Sequence, residues 1–182
     1  MGGGLYLYDS TAVIRANMVM DNHAAGENEG FGGGFYSQFG EITLDVNTIL
    51  SNTAEYGAVT FESQIAITLT NNIVAQNTGG GVFVRGNLSS PLVGILANNT
   101  IANNGTQGVY AGWFSSGNST LTLTNNLIVG HATGIYAYEH AIPNTITASG
   151  TNATMKATPT GIASSIGSQP PIAAASRAPV AT

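Results

Sequence analysis

Charge is scarce in this sequence. Only 7 % of its 182 residues are Asp, Glu, Lys or Arg, where a soluble domain usually carries about a quarter. Four residues are basic and the net charge is −5. That balance excludes the clustered Lys and Arg needed to hold phosphate backbones or an anionic membrane surface, so no nucleic acid partner is expected. Cysteine is absent, which rules out thiol catalysis, thiolate metal sites and disulfides and leaves the redox compartment unread. No run of 18 apolar residues occurs, so no transmembrane helix is expected. Helical periodicity is also missing. Nothing like a signal peptide opens the chain, since Met1 leads straight into Gly2, Gly3 and Gly4.

What the chain has instead is a repeated sentence. Asn17, Asn47, Asn72, Asn99 and Asn126 recur at steps of 30, 25, 27 and 27 residues. Five positions after each stands Asn22, Asn52, Asn77, Asn104 and finally His131. Two positions after each is an aliphatic residue: Val19, Ile49, Val74, Ile101 and Ile128. A Gly followed by an apolar or aromatic run precedes most of them, as in Gly4-Leu5-Tyr6-Leu7, Gly34-Phe35-Tyr36 and Gly81-Val82-Phe83-Val84. Repeats of this length built from short strand-like pieces specify a solenoid, in which each coil buries its apolar face against the next. The expected fold is all-β, with about six coils.

Alternation places Leu5/Leu7, Phe35/Ser37, Val59/Phe61, Val82/Val84 and Val109/Ala111 on the inner face of a first strand. Ala12/Ile14, Ile42/Leu44, Ile67/Leu69, Gly94/Leu96 and Leu121/Leu123 do the same in a second strand. The leading Gly of each coil is expected to allow a corner. The recurring Asn residues are expected to take unusual φ at later corners and to bond their amides to the equivalent residue one coil on, about 4.8 Å away. Asn71, Asn98 and Asn125 form a neighbouring row. These are structural ladders, with no catalytic role assigned to them.

Coil six begins at Gly134 and loses the pattern. Beyond Ala153 the composition turns to Ala, Ser, Thr and Pro, and Pro159, Pro170, Pro171 and Pro179 cannot sit inside a ladder. The expected organisation is therefore solenoid over residues 1–153 and an irregular or disordered tail over 154–182. A chain opening directly on a coil leads to the expectation of further coils of the same longer chain before it.

Stretches such as GGGLYLY, LDVNTILSNTAEYG, LTNNIVAQNTGGGV and LTNNLIVGHATGIY resemble the right-handed parallel β-helix superfamily, the pectate-lyase-like repeat region of bacterial secreted and surface proteins. They are also similar to the repeats of polymorphic outer-membrane adhesins, with Ile49, Val74 and Ile101 where those repeats carry Phe. The resemblance covers Gly2 to about Tyr138. It implies a right-handed single-stranded β-helix and an extracellular or cell-surface setting. It says little about activity, because the fold hosts lyases, hydrolases, epimerases, adhesins and inert spacers alike.

The machinery such a lyase would need, an Asp cluster for calcium with a basic residue beside it, is not visible. The three Asp residues, Asp9, Asp21 and Asp45, fall on different edges. Register instead pairs Arg15 with Asp45 and Glu62 with Arg85 as surface ion pairs. Glu41, Asp45 and Glu62 occupy different columns, which disfavours the paired acids of a glycoside hydrolase. Asp21, Glu27 and Glu29 read as a solvated acidic loop rather than a calcium site. No metal site is expected from His23, His131 and His140, and no cofactor is implied. Thr43, Thr68, Thr70, Thr122 and Thr124 suggest an ice-binding face that Asp45, Ile95 and Ala97 interrupt.

The outward position of the first strand is aromatic in nearly every coil: Tyr6, Tyr36, Phe83, Tyr110 and Tyr136, with Thr60 breaking the row and Trp113 close by. Such a stripe offers flat apolar faces to the sugar rings of a polysaccharide, or else stabilises neighbouring strands by stacking. The leading expectation is a non-catalytic scaffold or adhesive segment of an extracellular or cell-surface protein, with this stripe as the surface for glycan if it binds anything. The alternative is a fragment of a polysaccharide lyase or glycoside hydrolase.

Overall fold

The computed structural model describes residues 2–24, 30–63, 65–87, 91–112, 119–138, 144–150 and 152–156. The strands in chain order are β1 (Leu5–Arg15), β2 (Met18–Met20), β3 (Phe35–Asp45), β4 (Thr48–Leu50), β5 (Val59–Glu62), β6 (Ala66–Thr70), β7 (Ile73–Ala75) and β8 (Val82–Arg85). They continue as β9 (Leu92–Ala97), β10 (Thr100–Ala102), β11 (Gln107–Ala111), β12 (Ser119–Thr124), β13 (Leu127–His131), β14 (Thr133–Ala137), β15 (Thr145–Ser149) and β16 (Ala153–Lys156). Their ladders are parallel throughout, and no helix occurs among the described residues.

One sheet runs β14-β11-β8-β5-β3-β6-β9-β12-β15 with β1 also on β3, and a second runs β16-β13-β10-β7-β4-β2. The first sheet doubles back because β3 serves two sides of the coil. Its Phe35–Gln38 half pairs with β5 and its Glu41–Asp45 half with β6. The bend between them sits at Phe39 and Gly40, both with positive φ. Later coils break the chain at this point, giving β5 and β6, β8 and β9, β11 and β12. Each coil thus has three sides, and six rungs make about five turns of a parallel β-solenoid. At the usual strand spacing the stack is about 24 Å long.

One continuous core fills the coil. Phe35, Val59, Phe61, Val82, Val84, Val109 and Ala111 come from the first side, Ile42, Leu44, Ile67, Leu69, Leu96, Leu121 and Leu123 from the second, and Ile49, Val74, Ile101 and Ile128 from the third. The inward sets read from alternation are those found. Ser37 also points in and is fully buried.

The corners divide their work between two residues, which corrects the expectation that the ladder Asn itself takes unusual φ. The left-handed residue is the one before it. Ala16, Val46, Asn71, Asn98 and Asn125 all have φ of 55–57°, one position ahead of the first ladder. Asp21, Ser51, Gln76 and Asn103 do the same for the second ladder at 53–56°, with Gly130 at 77°. The leading glycines also have a different cause from the one expected. They lack the positive φ of a corner residue, but a Cβ on Gly34 would lie 2.8 Å from Ile49 Cγ2 and 2.9 Å from Asn52 Nδ2. A Cβ on Gly108 would lie 2.5 Å from Ile128 Cγ2. Glycine there makes room for the third side and its ladder amide.

Coil six is more regular than its sequence suggests. Strand β15 pairs with β12 over five residues, and β16 carries pairing through Lys156, three residues into the segment expected to be tail. Residues 157–182 lie outside the described residues.

Candidate functional site

Two asparagine ladders line the inner corners. In each rung the backbone N–H and side-chain Nδ2 both donate to the Oδ1 of the next rung. For Asn72 onto Asn99 the distances are 2.9 and 3.0 Å, and for Asn77 onto Asn104 they are 3.1 and 2.8 Å. The second Nδ2 proton reaches back to a core carbonyl, as from Asn72 to Leu44 at 2.9 Å. The first ladder runs Asn17, Asn47, Asn72, Asn99, Asn126 and then Asn152, which accepts from the Asn126 amide at 2.9 Å. Asn152 carries little of the repeat pattern in the sequence. Neither the aliphatic nor the polar residue that follows other rungs stands behind it. The second ladder runs Asn22, Asn52, Asn77, Asn104 and ends on His131, whose Nε2 accepts from the Asn104 amide at 3.2 Å. Burial lowers the His131 pKa.

On the outer surface the charged groups are paired as register foretold. Arg15 Nε lies 3.0 Å from Asp45, and Arg85 Nη1 lies 3.2 Å from Glu62. Hydrogen bonds donated by Thr70 and Asn71, with the Arg15 charge adding to them, hold the Asp45 carboxyl below its usual range. The Tyr36 hydroxyl donates to Glu62 at 2.7 Å, and burial together with this carboxylate raises the phenol well above its ordinary value. Tyr36, Glu62 and Arg85 thus form a relay across three coils. Glu41, Asp45 and Glu62 stand in separate columns.

The aromatic row is continuous, by a route the sequence did not show. Tyr6, Tyr36, Thr60, Phe83, Tyr110 and Tyr136 share one outward column. The gap at Thr60 is filled by Phe31, whose ring is 6.3 Å from Tyr36 and 5.8 Å from Phe83, within 5° of parallel to the latter. Thr60 arranges this. Its hydroxyl accepts from the Gly32 amide at 3.1 Å and donates to the Tyr56 carbonyl at 3.1 Å, pinning the segment that carries Phe31. Tyr56 also stacks on Phe31, at 5.1 Å. The result is a second apolar cluster outside the coil, made of Phe31, Tyr36 and Phe83 with Tyr56 and Tyr110 against it.

Exposure therefore differs along the stripe. Tyr36 and Phe83 are 2 % exposed, while Tyr6 is 43 % and Tyr136 is 42 % exposed. Beside the covered centre opens a groove of about 240 Å³. Tyr56, Phe83 and Tyr110 line it with Glu55, Thr106, Gln107 and the backbone of Gly79 to Gly81. Burial pushes the Tyr110 phenol up to about 12, and the hydroxyls of Tyr136, Tyr138 and Tyr56 add to the shift. At ordinary pH the groove thus presents a neutral hydroxyl there.

A family model described as right-handed β-helix region matches residues 1–152. The chain belongs to that family. No curated protein and no solved structure matches it. Membership in the right-handed β-helix family gives the coil its hand and is silent on any reaction. Among the described residues of this β-helix, no three His, Cys, Asp or Glu side chains gather as a metal would require. No helix among them is long and apolar enough to cross a membrane.

Of the residues singled out in the sequence, the β-helix places Tyr6, Tyr36, Phe83, Tyr110 and Tyr136 in one row. Trp113, Glu27, Glu29 and His140 lie outside the described residues. Phe31, Tyr56 and Glu55 were missed. A signal for the first two was present: Phe31-Gly32 and Tyr56-Gly57 are aromatic–glycine pairs three to four residues ahead of a first strand. Phe31 and Tyr56 pair across coils at a backbone bridge, their rings stack, and both glycines have positive φ.

Proposed function

We propose that this β-helix is a non-catalytic scaffold or adhesive segment of an extracellular or cell-surface protein, and that it binds glycan at its outward aromatic face. One observation carries the reading. The groove beside Tyr56 and Tyr110 joins ring faces to the amide of Gln107, the hydroxyl of Thr106 and a carboxylate, the mixture of flat apolar and hydrogen-bonding groups that sugar rings require. The covered rings Tyr36 and Phe83 act as its rigid backing. Tyr6 and Tyr136, with open faces, extend the contact along the axis. Support for a non-catalytic role comes from four of the outward charged groups, which are engaged with one another in the Arg15–Asp45 pair and the Tyr36–Glu62–Arg85 relay.

The test is a screen of the purified chain against neutral, acidic and amino polysaccharides, with and without calcium. Binding without turnover, weakened by Tyr110→Ala, is the expected result. Turnover of any polymer would replace this reading with a lyase or hydrolase, and no binding to any glycan would leave a scaffold alone.

A further inference from the structure

We infer that the groove takes an ammonium-bearing sugar, held between the Tyr56 and Tyr110 rings with Glu55 as counter-charge, in preference to neutral or uronate sugars. The inference rests on the glycan reading above and narrows it to a substrate class.

The first argument is charge. Among the described residues, the groove is lined by one carboxylate, Glu55, and by no basic side chain. The chain has four basic residues, of which Lys156 and Arg177 have side chains outside the described part of the structure. Arg15 and Arg85 are each committed to a carboxylate, Asp45 and Glu62, in other columns of the surface. A sugar acid entering the groove would meet Glu55 and find no cation among the described residues. It would lose solvation without gaining a partner, which is costly for an ion. An ammonium group meets the opposite situation.

The second argument is shape. Phe83 is buried and forms the floor, its ring 6.1 Å from Tyr56 and 4.9 Å from Tyr110, tilted by 35° and 45° to them. Two rings inclined to a third in the lining of one groove offer it aromatic surface, which attracts a cation. Glycines keep the remaining wall low. Gly79, Gly80 and Gly81 contribute backbone only, and a Cβ on Gly57 would stand 2.7 Å from Phe83 Cβ. The volume of about 240 Å³ suits a single sugar residue rather than a long buried segment. Thr106 and Gln107 supply the hydrogen bonds that sugar hydroxyls need.

The experiment titrates the full chain, by calorimetry and by NMR shift mapping, with three β-1,4-linked tetrasaccharides: glucosamine, N-acetylglucosamine and a uronate. Glucosamine is expected to bind tightest, by about tenfold over the N-acetyl form, and to weaken with added salt because Glu55 is at the exposed rim. Glu55→Gln abolishes that preference. Glu41→Gln, which removes a carboxylate on another side of the coil, leaves it intact and so excludes attraction by net charge alone. Shifts fall on Tyr56 and Tyr110. Equal or tighter binding of the N-acetyl or uronate sugar would overturn the inference while sparing the glycan reading, as would a preference unaffected by Glu55→Gln. Failure of all three sugars, together with failure of the wider screen, would overturn both.

Discussion

The backbone amide of Asn104 donates to Nε2 of His131 at 3.2 Å, which makes that nitrogen an acceptor and places the proton of the neutral ring on Nδ1. Protonating Nε2 would set donor against donor inside the core. Burial lowers the His131 pKa, so the folded chain binds fewer protons than the unfolded chain just below the ordinary value of about 6.5. Stability is then fully present above about pH 6.5 and is lost as pH falls towards the folded value. Urea midpoints measured from about pH 8 to about pH 5 should decline in the wild type. In His131→Asn, which restores an amide rung, they should stay level over that window. Asp45, whose pKa is lowered by Thr70 and Asn71, loses its contribution only in a separate acid range below about 3.9. A decline of equal slope in His131→Asn would remove His131 as its cause.

The central ladder should be far more sensitive than its end. Asn72→Leu strips the Asn47 backbone and side-chain amides of their acceptor, takes the Asn72 side-chain donor from the Leu44 carbonyl, and leaves Asn99 Oδ1 with the backbone N–H of residue 72 alone, all in the buried corner, a loss of about 1–3 kcal/mol or more. Asn17 is exposed and bonds on one side only, so Asn17→Leu should cost under about 1 kcal/mol. Equal losses in denaturant melts would mean that the ladder is not the source of the stability.

Phe31 and Thr60 should be coupled. Removing the ring in Phe31→Ala opens a gap between Tyr36 and Phe83 and should cost about 3 kcal/mol. Thr60→Phe alone crowds Phe31 and gives up the hydroxyl bonds to Gly32 and Tyr56. Combined, the two substitutions place a ring back in the column, and the double mutant should be more stable than the sum of the singles predicts by at least about 1 kcal/mol. Additive losses would show that the stack does not act as a unit.

Within the aromatic row, stability and binding should separate by exposure. Tyr36→Ala and Phe83→Ala delete buried rings and should lower stability by about 3–5 kcal/mol. Tyr6→Ala and Tyr136→Ala should change it by about 1 kcal/mol or less, since such surface rings lose little buried area. Any glycan affinity lost in the second pair reports contact with the ligand, whereas loss in the first pair follows from the fold. Thermal melts alongside binding measurements distinguish the two.

Val46 occupies a left-handed corner at φ 57°, a conformation that a β-branched residue disfavours. The equivalent corner positions in three later coils hold Asn71, Asn98 and Asn125. Val46→Asn should therefore stabilise the chain by about 0.5–1 kcal/mol, read as an upward shift of the urea midpoint. No change would indicate that contacts of the Val46 side chain offset the backbone strain.

The fold was largely legible because each coil repeats the same physical requirement. Inward alternation in residues such as Val82 and Val84, the aliphatic of the third side and the paired Asn all recur at fixed offsets, and each recurrence confirms the others. Asn152 escaped because only one element of that pattern survives around it. The origin of the corner φ was misjudged for a different reason: adjacent positions such as Asn71 and Asn72 carry the same residue type, and sequence cannot say which takes the backbone strain and which the ladder bond. The site was less readable still. The outward column was visible, but its burial depends on Phe31 and Tyr56, which arrive from the preceding segment and lie over a strand position two coils deep in the stack. Glu55 had no pattern around it at all. It gains meaning only from the rings beside it.

The ladder bonds and the strand pairings run along the axis of the stack, one rung to the next, whereas the peptide chain runs around it. Tension applied along that axis therefore falls on hydrogen bonds rather than on the chain. At every rung the load is shared by the sides of the coil and the corner amides together. Once one rung parts, the coil it held is free to straighten, and the load passes whole to the next. A single molecule drawn out between its ends should lengthen in discrete steps, each releasing a coil of 25–30 residues and adding up to about 100 Å of slack. Under force the molecule behaves as a set of fuses in series, with the outer coils giving way before the centre.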